Sequence, residues 1–449
     1  GLCGPAASHH THVQAACPRP MATAQYPQPV AAYPQPVAAY PGGYPQPVAQ
    51  SGLGLYYVVD GFLVLTGFLL ARKALAKAGG STAPERLREE GAALKVRAAE
   101  AKARAADAAA ALAAAKATLP NEMAPDTPIG GEEANVVVRS VGTPPESGLD
   151  HVDFATARKW IEFEAASAVS GPAFYYLARE AVQLEAALVA HALDTAIAAG
   201  FVPYTVPEIV HEHLVERCGF QPRGESSQVY KVTTDSPGHD AAKCLIGTAE
   251  IPLAGRFLDT LIPLPELPDS ARSVAVSRCF RAEAGASGRA TRGLYRVHQF
   301  TKVELFGLAQ LADAKQLHAE LLALSESIVA SLDLPYRVLR MASRELGAPA
   351  YAKYDIEAWM PSRGGFGEAA SVSNCTTYQA ARLNTRIHDP RAPKKSRNSL
   401  AATLNGTAAA IPRLIMALIE NHGTVDEDGR PVLALPPALR PYLGGRELL

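Results

Sequence analysis

At 449 residues the chain has room for two or three domains, and a hydrophobic share of 48% is ample for a core. A formal net charge of −1 excludes a global basic field that would draw in nucleic acid, so any RNA contact must come from local patches. The six cysteines (Cys3, Cys17, Cys218, Cys244, Cys279, Cys375) are scattered without a CxxC or Cys/His cluster, which argues against zinc and for buried thiols in a reducing compartment.

Residues 1–51 give nothing to bury. Tyr-Pro-Gln-Pro-Val recurs from Tyr26, Tyr33 and Tyr44, and its first residues return at Tyr40. Such proline density predicts an extended or disordered tail. No acidic residue precedes Asp60, and His and Ala are frequent. That composition suits an organelle-targeting region, mitochondrial or plastid. Residues 52–71 follow as an apolar run with one charge, Asp60, flanked by Arg72, Lys73 and Lys77. Twenty helical residues span about 30 Å, the thickness of a bilayer core. The expectation for 52–78 is a membrane anchor, with a buried soluble helix as the alternative.

Residues 79–120 begin with capping candidates Ser81 and Thr82 and with Pro84, suited to a first turn. From 85 to about 119 the chain is nearly all Ala, Leu, Lys, Arg and Glu, which predicts one long helix ended by Pro120. Residues 121–150, rich in Pro, Gly and Glu, read as a linker. From 151 to 449 the pattern mixes strands with helices. Helices are expected at 175–199, 311–332 and 408–421, a strand and turn at 201–210, and strands at 273–280 and 300–308. The fold class is α+β.

The two last strands bracket a stretch of Gly, Ser, Thr and Arg that carries Arg289, Arg292 and Arg296. A cationic hairpin between strands bearing Arg281, Glu283 and Glu304 suits a polyanion, because arginine binds phosphate bidentately and keeps its charge. Read alone, a charged hairpin of this kind is more often a solvated surface hairpin. Thr248 and Glu250 sit before an apolar helix start, where an N-cap is the simpler reading. Glu368 and Ser371 lie in a strand-like stretch, and Asn405, Thr407 and Arg413 in a strand running into a helix.

Together these residues carry a resemblance. The run FRAEAG followed by TRGLYRVHQFTKVE, from Phe280 to Glu304, closely resembles motif 2 of class II aminoacyl-tRNA synthetases in the seryl-tRNA synthetase version. The stretches around Thr248-Ala-Glu250, 367–374 and 403–413 resemble that family's TxE loop, its metal-bearing strand and motif 3. Pro207 stands where the dimer-forming motif 1 has its proline. The resemblance implies a class II antiparallel sheet flanked by helices, working as a homodimer. It implies ATP and Mg2+ as cofactors, and serine and tRNA(Ser) as substrates. Thr248 and Glu250 would hold the serine ammonium, Glu304 its hydroxyl, and Asn405 and Thr407 would line its pocket. Arg281 would bridge the serine carboxylate and the α-phosphate. Glu283 and Phe300 would take the adenine, Arg296 and Arg413 the outer phosphates, and Glu368 and Ser371 the metal.

The chain also departs from the family pattern. The second arm helix is present as 85–119, but the first is missing or replaced by the apolar run. Ala369 and Ala370 replace a β-branched residue and a Ser or Thr, Ser343 to Gly347 replaces a Gly-Asp pair, and Ala381 an arginine. The expectation is that Ala370 lies beside the metal pair. The resemblance implies a serine–tRNA ligase. The alternative is a silent, synthetase-derived subunit of an organellar membrane complex.

Overall fold

A computed structural model describes residues 85–220, 228–233, 242–267, 271–283 and 293–449. The proline-rich tail, the apolar run 52–71 and the hairpin tip with Arg289 and Arg292 lie outside the described residues. The chain divides into two units, Gly1–Ala106 and Asp107–Leu449. In the first, the described residues are helical. They belong to α1, Glu85–Thr118, whose alanine-rich sequence has high helix propensity and whose Val96 is exposed.

The second unit is built on an eight-stranded sheet. In chain order its strands are β1 (Val136–Val141), β2 (Val202–Thr205), β3 (Arg272–Phe280), β4 (Gln299–Ala309), β5 (Tyr336–Arg340), β6 (Ala352–Met360), β7 (Gly365–Thr376) and β8 (Ala402–Ala410). Across the sheet the order is β1-β5-β6-β7-β8-β4-β3-β2. Only the β2–β3 pair is parallel. The helices used below are α2 (His151–Arg158), α3 (Glu180–Ala198), α4 (Glu250–Gly255), α5 (Ala314–Ala330), α6 (Tyr378–Leu383) and α7 (Ile411–His422). The architecture is the expected α+β class with a large antiparallel sheet.

Strand alternation sends side chains to two apolar clusters, one on each face. Val303 and Leu305 of β4 join Val372 of β7 and the buried faces of α3, α5 and α7. Ala275 of β3 and Phe306 of β4 join Ile251 of α4 and Ala380 of α6 on the other face. Each fully buried Leu, Ile or Phe stabilises the fold by roughly 1.5–3 kcal/mol. The helix α3 is long and apolar enough to cross a membrane, but its Leu184, Leu188 and Ala192 are core residues.

Three expectations need correction. The stretch 121–150 is not a free linker: it contains β1, paired with β5, and Asn121 donates to the carbonyls of Pro349 and Cys375. The third helix begins at Glu180 rather than 175, because Tyr176 and Leu177 pair with Glu162 and Ile161 and Arg179 takes a left-handed φ of 57°. Residues 408–410 are strand rather than helix. They close β8 against Lys302 and Val303, and Pro412 then suits the first turn of α7.

Candidate active site

One cavity, about 530 Å³ of empty space open to solvent, lies where β4, β7 and β8 meet the start of α7. Arg281, Glu283, Arg296, Phe300, Glu368, Ser371, Thr407 and Arg413 all line it. Eight of the twelve residues singled out from sequence are thus in one wall, although they span more than a hundred positions. The other four, Thr248, Glu250, Glu304 and Asn405, are buried. Glu304 pairs across strands with cavity-lining Thr407, which connects the two groups.

The cationic rim is held by its own contacts. The Arg281 amide donates to the His298 carbonyl at 2.9 Å, and its guanidinium lies 5.2 Å from the Phe300 ring centroid. Arg296 Nη1 contacts Glu283 Oε2 at 2.9 Å. Arg413 Nε donates to the Tyr295 carbonyl at 3.2 Å, and Nη1 to the Glu368 carbonyl at 2.9 Å. Arg413 also reaches the Glu368 carboxylate at 3.2 Å. The Tyr295 ring lies within cation–π reach of two guanidinium groups, 4.6 Å from Arg413 and 3.9 Å from Arg363.

The inner group is acidic. Glu250 Oε1 accepts from Gln379 Nε2 at 2.6 Å and from Asn405 Nδ2 at 2.8 Å. Burial, and then the nearby Glu304 charge, push the Glu250 carboxyl up to about 7. Burial also raises Glu304, against the opposing pull of Lys302, whose Nζ is 2.6 Å away. Two buried carboxylates side by side make a site for a cation.

The metal pair depends on a backbone irregularity. Glu368 and Ser371 are three apart, and regular alternation would put them on opposite faces. Ile356 faces Ala370 and Glu357 faces Glu368, so Ala369 is an extra residue in β7. That bulge brings both into the cavity wall. It also moves the alanine. Ala369 lines the cavity, whereas Ala370 is absent from its lining and pairs with Ile356 of the apolar cluster, so the Ala370 side chain does not lie beside the metal pair as expected. Burial alone would raise Glu368, but Arg413, Lys353 and Arg281 together hold it well below the usual carboxylate range. Asp355, cross-strand from Ser371, is raised by burial and carries a buried, unpartnered Oδ1.

Sequence reasoning missed several members. Lys302 lines the cavity, and alternation through Phe300, Lys302 and Glu304 was a usable signal for it. Gln379, which holds Glu250, and Tyr295 had no sequence signal, since each acts through a partner more than a hundred residues away.

Residues 230–422 match the model of the tRNA synthetase class II core domain (G, H, P, S and T). The serine–tRNA ligase of Rubrobacter xylanophilus is 42% identical over 381 residues, covering 84% of this chain and 86% of that protein. The chain belongs to the seryl-tRNA synthetase family. The serine–tRNA ligase of Borrelia recurrentis is 39% identical over 372 residues, covering 81% of this chain and 84% of the relative. Among solved structures, the seryl-tRNA synthetase of Pyrococcus horikoshii complexed with ATP aligns at a TM-score of 0.75 and 31% identity, over 88% of this chain and 92% of that one. The cytoplasmic serine–tRNA ligase of Naegleria fowleri in complex with AMP aligns at 0.72 and 25% identity, over 88% of this chain and 90% of that one. The seryl-tRNA synthetase resemblance seen in the hairpin therefore extends over most of the chain.

Proposed function

We infer that this chain is a serine–tRNA ligase. It activates serine with ATP and transfers the seryl group to tRNA(Ser). The observation that carries this is the polarity of the site: an arginine rim, Arg281, Arg296 and Arg413, beside an acidic interior, Glu250 and Glu304. ATP is a polyanion and serine presents an ammonium, so the two substrates meet opposite charges.

In the first step the serine carboxylate attacks the α-phosphorus and pyrophosphate leaves. Glu250 holds the ammonium and Glu304 the hydroxyl, with Thr248, Asn405 and Thr407 around them. A buried acceptor left unpaired disfavours an analogue lacking the hydroxyl. Arg281 spans carboxylate and α-phosphate, where negative charge builds, and Arg296 and Arg413 take the outer phosphates. Phe300 and Glu283 receive the adenine. In the second step the terminal ribose of the tRNA takes the seryl group and AMP leaves. Positioning and charge neutralisation supply the rate, with no covalent intermediate on the protein.

Glu368 and Ser371 would hold magnesium. Their oxygens are hard donors, and the buried Asp355 Oδ1 without a partner, cross-strand from Ser371, is a further oxygen on the neighbouring strand. Bound magnesium would neutralise phosphate charge. The working assembly is a homodimer through residues 175–210. The organellar address, mitochondrion or plastid, follows from the composition of 1–51, and a membrane tether from 52–71. Serine-dependent exchange of pyrophosphate into ATP tests the reading without tRNA. Exchange with serine is expected, and its absence from folded protein rejects the activity.

A further inference from the structure

His151 opens α2 and is 2% exposed. Its Nδ1 lies 2.7 Å from Oε1 of Glu420, near the end of α7 and itself buried. Its Nε2 lies 3.3 Å from the main-chain nitrogen of Leu294. A main-chain N–H can only donate, and an ionised carboxylate can only accept. The imidazole therefore carries its proton on Nδ1 and offers a lone pair from Nε2. Glu420 is fixed in turn: Ser362 donates its hydroxyl to Oε1 at 2.5 Å and its amide to Oε2 at 3.0 Å.

Leu294 stands at the return foot of the cationic hairpin. The residue before it, Gly293, has φ +66°, and a Cβ there would fall 1.9 Å from His151 Nε2. Only glycine lets the backbone pass the imidazole this closely. Leu294, Tyr295 and Arg296 then run along the cavity wall. Arg413 and Glu420 lie seven residues apart, two turns along one face of α7. Arg413 grips the same limb directly at the Tyr295 carbonyl. Glu420 grips it one residue earlier, through His151.

We propose that His151 is a positioning residue for the nucleotide. Its Nε2 pins the Leu294 amide, and this sets the height at which Arg296, paired with Glu283, meets the substrate. Glu420 fixes the tautomer that makes this possible. The proposal rests on the ATP-dependent reading above.

The test separates the two nitrogens. In His151→Asn the side-chain amide stands at the Nδ1 position and still donates to Glu420, but nothing reaches Leu294. In His151→Gln the longer amide reaches the Nε2 position and accepts from Leu294. The full chain is assayed by pyrophosphate exchange with ATP and serine varied separately, and by calorimetric titration with ATP. His151→Asn is expected to raise KM and Kd for ATP about tenfold, the scale of one lost neutral hydrogen bond. Its KM for serine should stay near that of the parent although the unpaired Leu294 amide lowers its melting temperature, and His151→Gln should recover ATP affinity. Equal ATP affinity in the parent and His151→Asn overturns the proposal. So does an equal rise in both KM values, or a Gln variant as impaired as the Asn variant. A parent that lacks exchange activity defeats the ligase reading instead, and the ATP titration still decides the role of His151.

Discussion

Glu250 and Asn405 are joined at 2.8 Å although 155 residues separate them, and this contact holds the acid proposed to face the amino acid. The acid is unusual because burial, with Glu304 second, lifts it to about 7. The raised value has a sign. Protonated Glu250 suits the empty fold, so its contribution to stability is full below the ordinary carboxylate value and is lost as pH rises through about 7. Serine binding needs the opposite state. The affinity for serine should fall by about tenfold per unit as pH drops below about 7, while the affinity for ATP changes little. Exchange kinetics across that range measure it, and a serine KM flat from about pH 8 to about pH 6 would refute the assignment of Glu250.

Arg281→Ala and Arg413→Ala should each cripple adenylate formation in folded protein. Each removes one clamp on developing charge, worth about 2.7–4 kcal/mol or on the order of 100- to 1,000-fold in rate. Arg413→Ala also frees the Tyr295 carbonyl, so it should show the larger change in ATP affinity. Near-parental exchange in either variant, with the circular dichroism of the parent, contradicts these roles.

The proposed homodimer has a surface to use. The outward Val182 and Ile197 of α3 are 48% and 45% exposed, and Val202 lies on the edge strand β2. A two-fold axis beside β2 would cover all three. Light scattering at micromolar concentration should give the mass of two chains, and Ile197→Glu should lower it. A monomer in the parent protein excludes this arrangement.

Residues 52–71 are expected to anchor the protein, with the catalytic unit on the side of Arg72, Lys73 and Lys77. Asp60 opposes this by about 2.5–3.5 kcal/mol if it lies mid-span, which the surrounding Leu, Phe and Val must offset. Alkaline carbonate separates the outcomes. An anchored chain stays with the membrane pellet, and full release of intact protein rejects the anchor.

What the sequence made legible was local and periodic. Alternation found β3 and β4, and the motif stretches named the cavity wall. The edge strand β1 escaped because all six of its residues are exposed: backbone pairing to Tyr336–Arg340 holds it, and no burial pattern marks it. His151 and Glu420 escaped because 269 positions separate them. The start of α7 was misplaced because alanine at 408–410 has high helix propensity, which pairing with β4 overrides.

The bulge at Ala369 gives the most specific prediction. Glu368 faces Glu357 and Ala370 faces Ile356, so Ala369 is the residue left without a partner in β6. Deleting it leaves Glu368 and Ser371 two positions apart, and regular alternation then keeps both side chains on one face. The pairing with β6 on either side stays in register. The expected result is that the deletion variant keeps its metal site, with a manganese affinity, read by electron paramagnetic resonance of the nucleotide complex, close to that of the parent. The substitution Ala369→Ser serves as the control, since it keeps the residue count and therefore the bulge. A deletion variant at least about tenfold weaker for manganese would show that the bulge itself, and not the shared face, positions the pair.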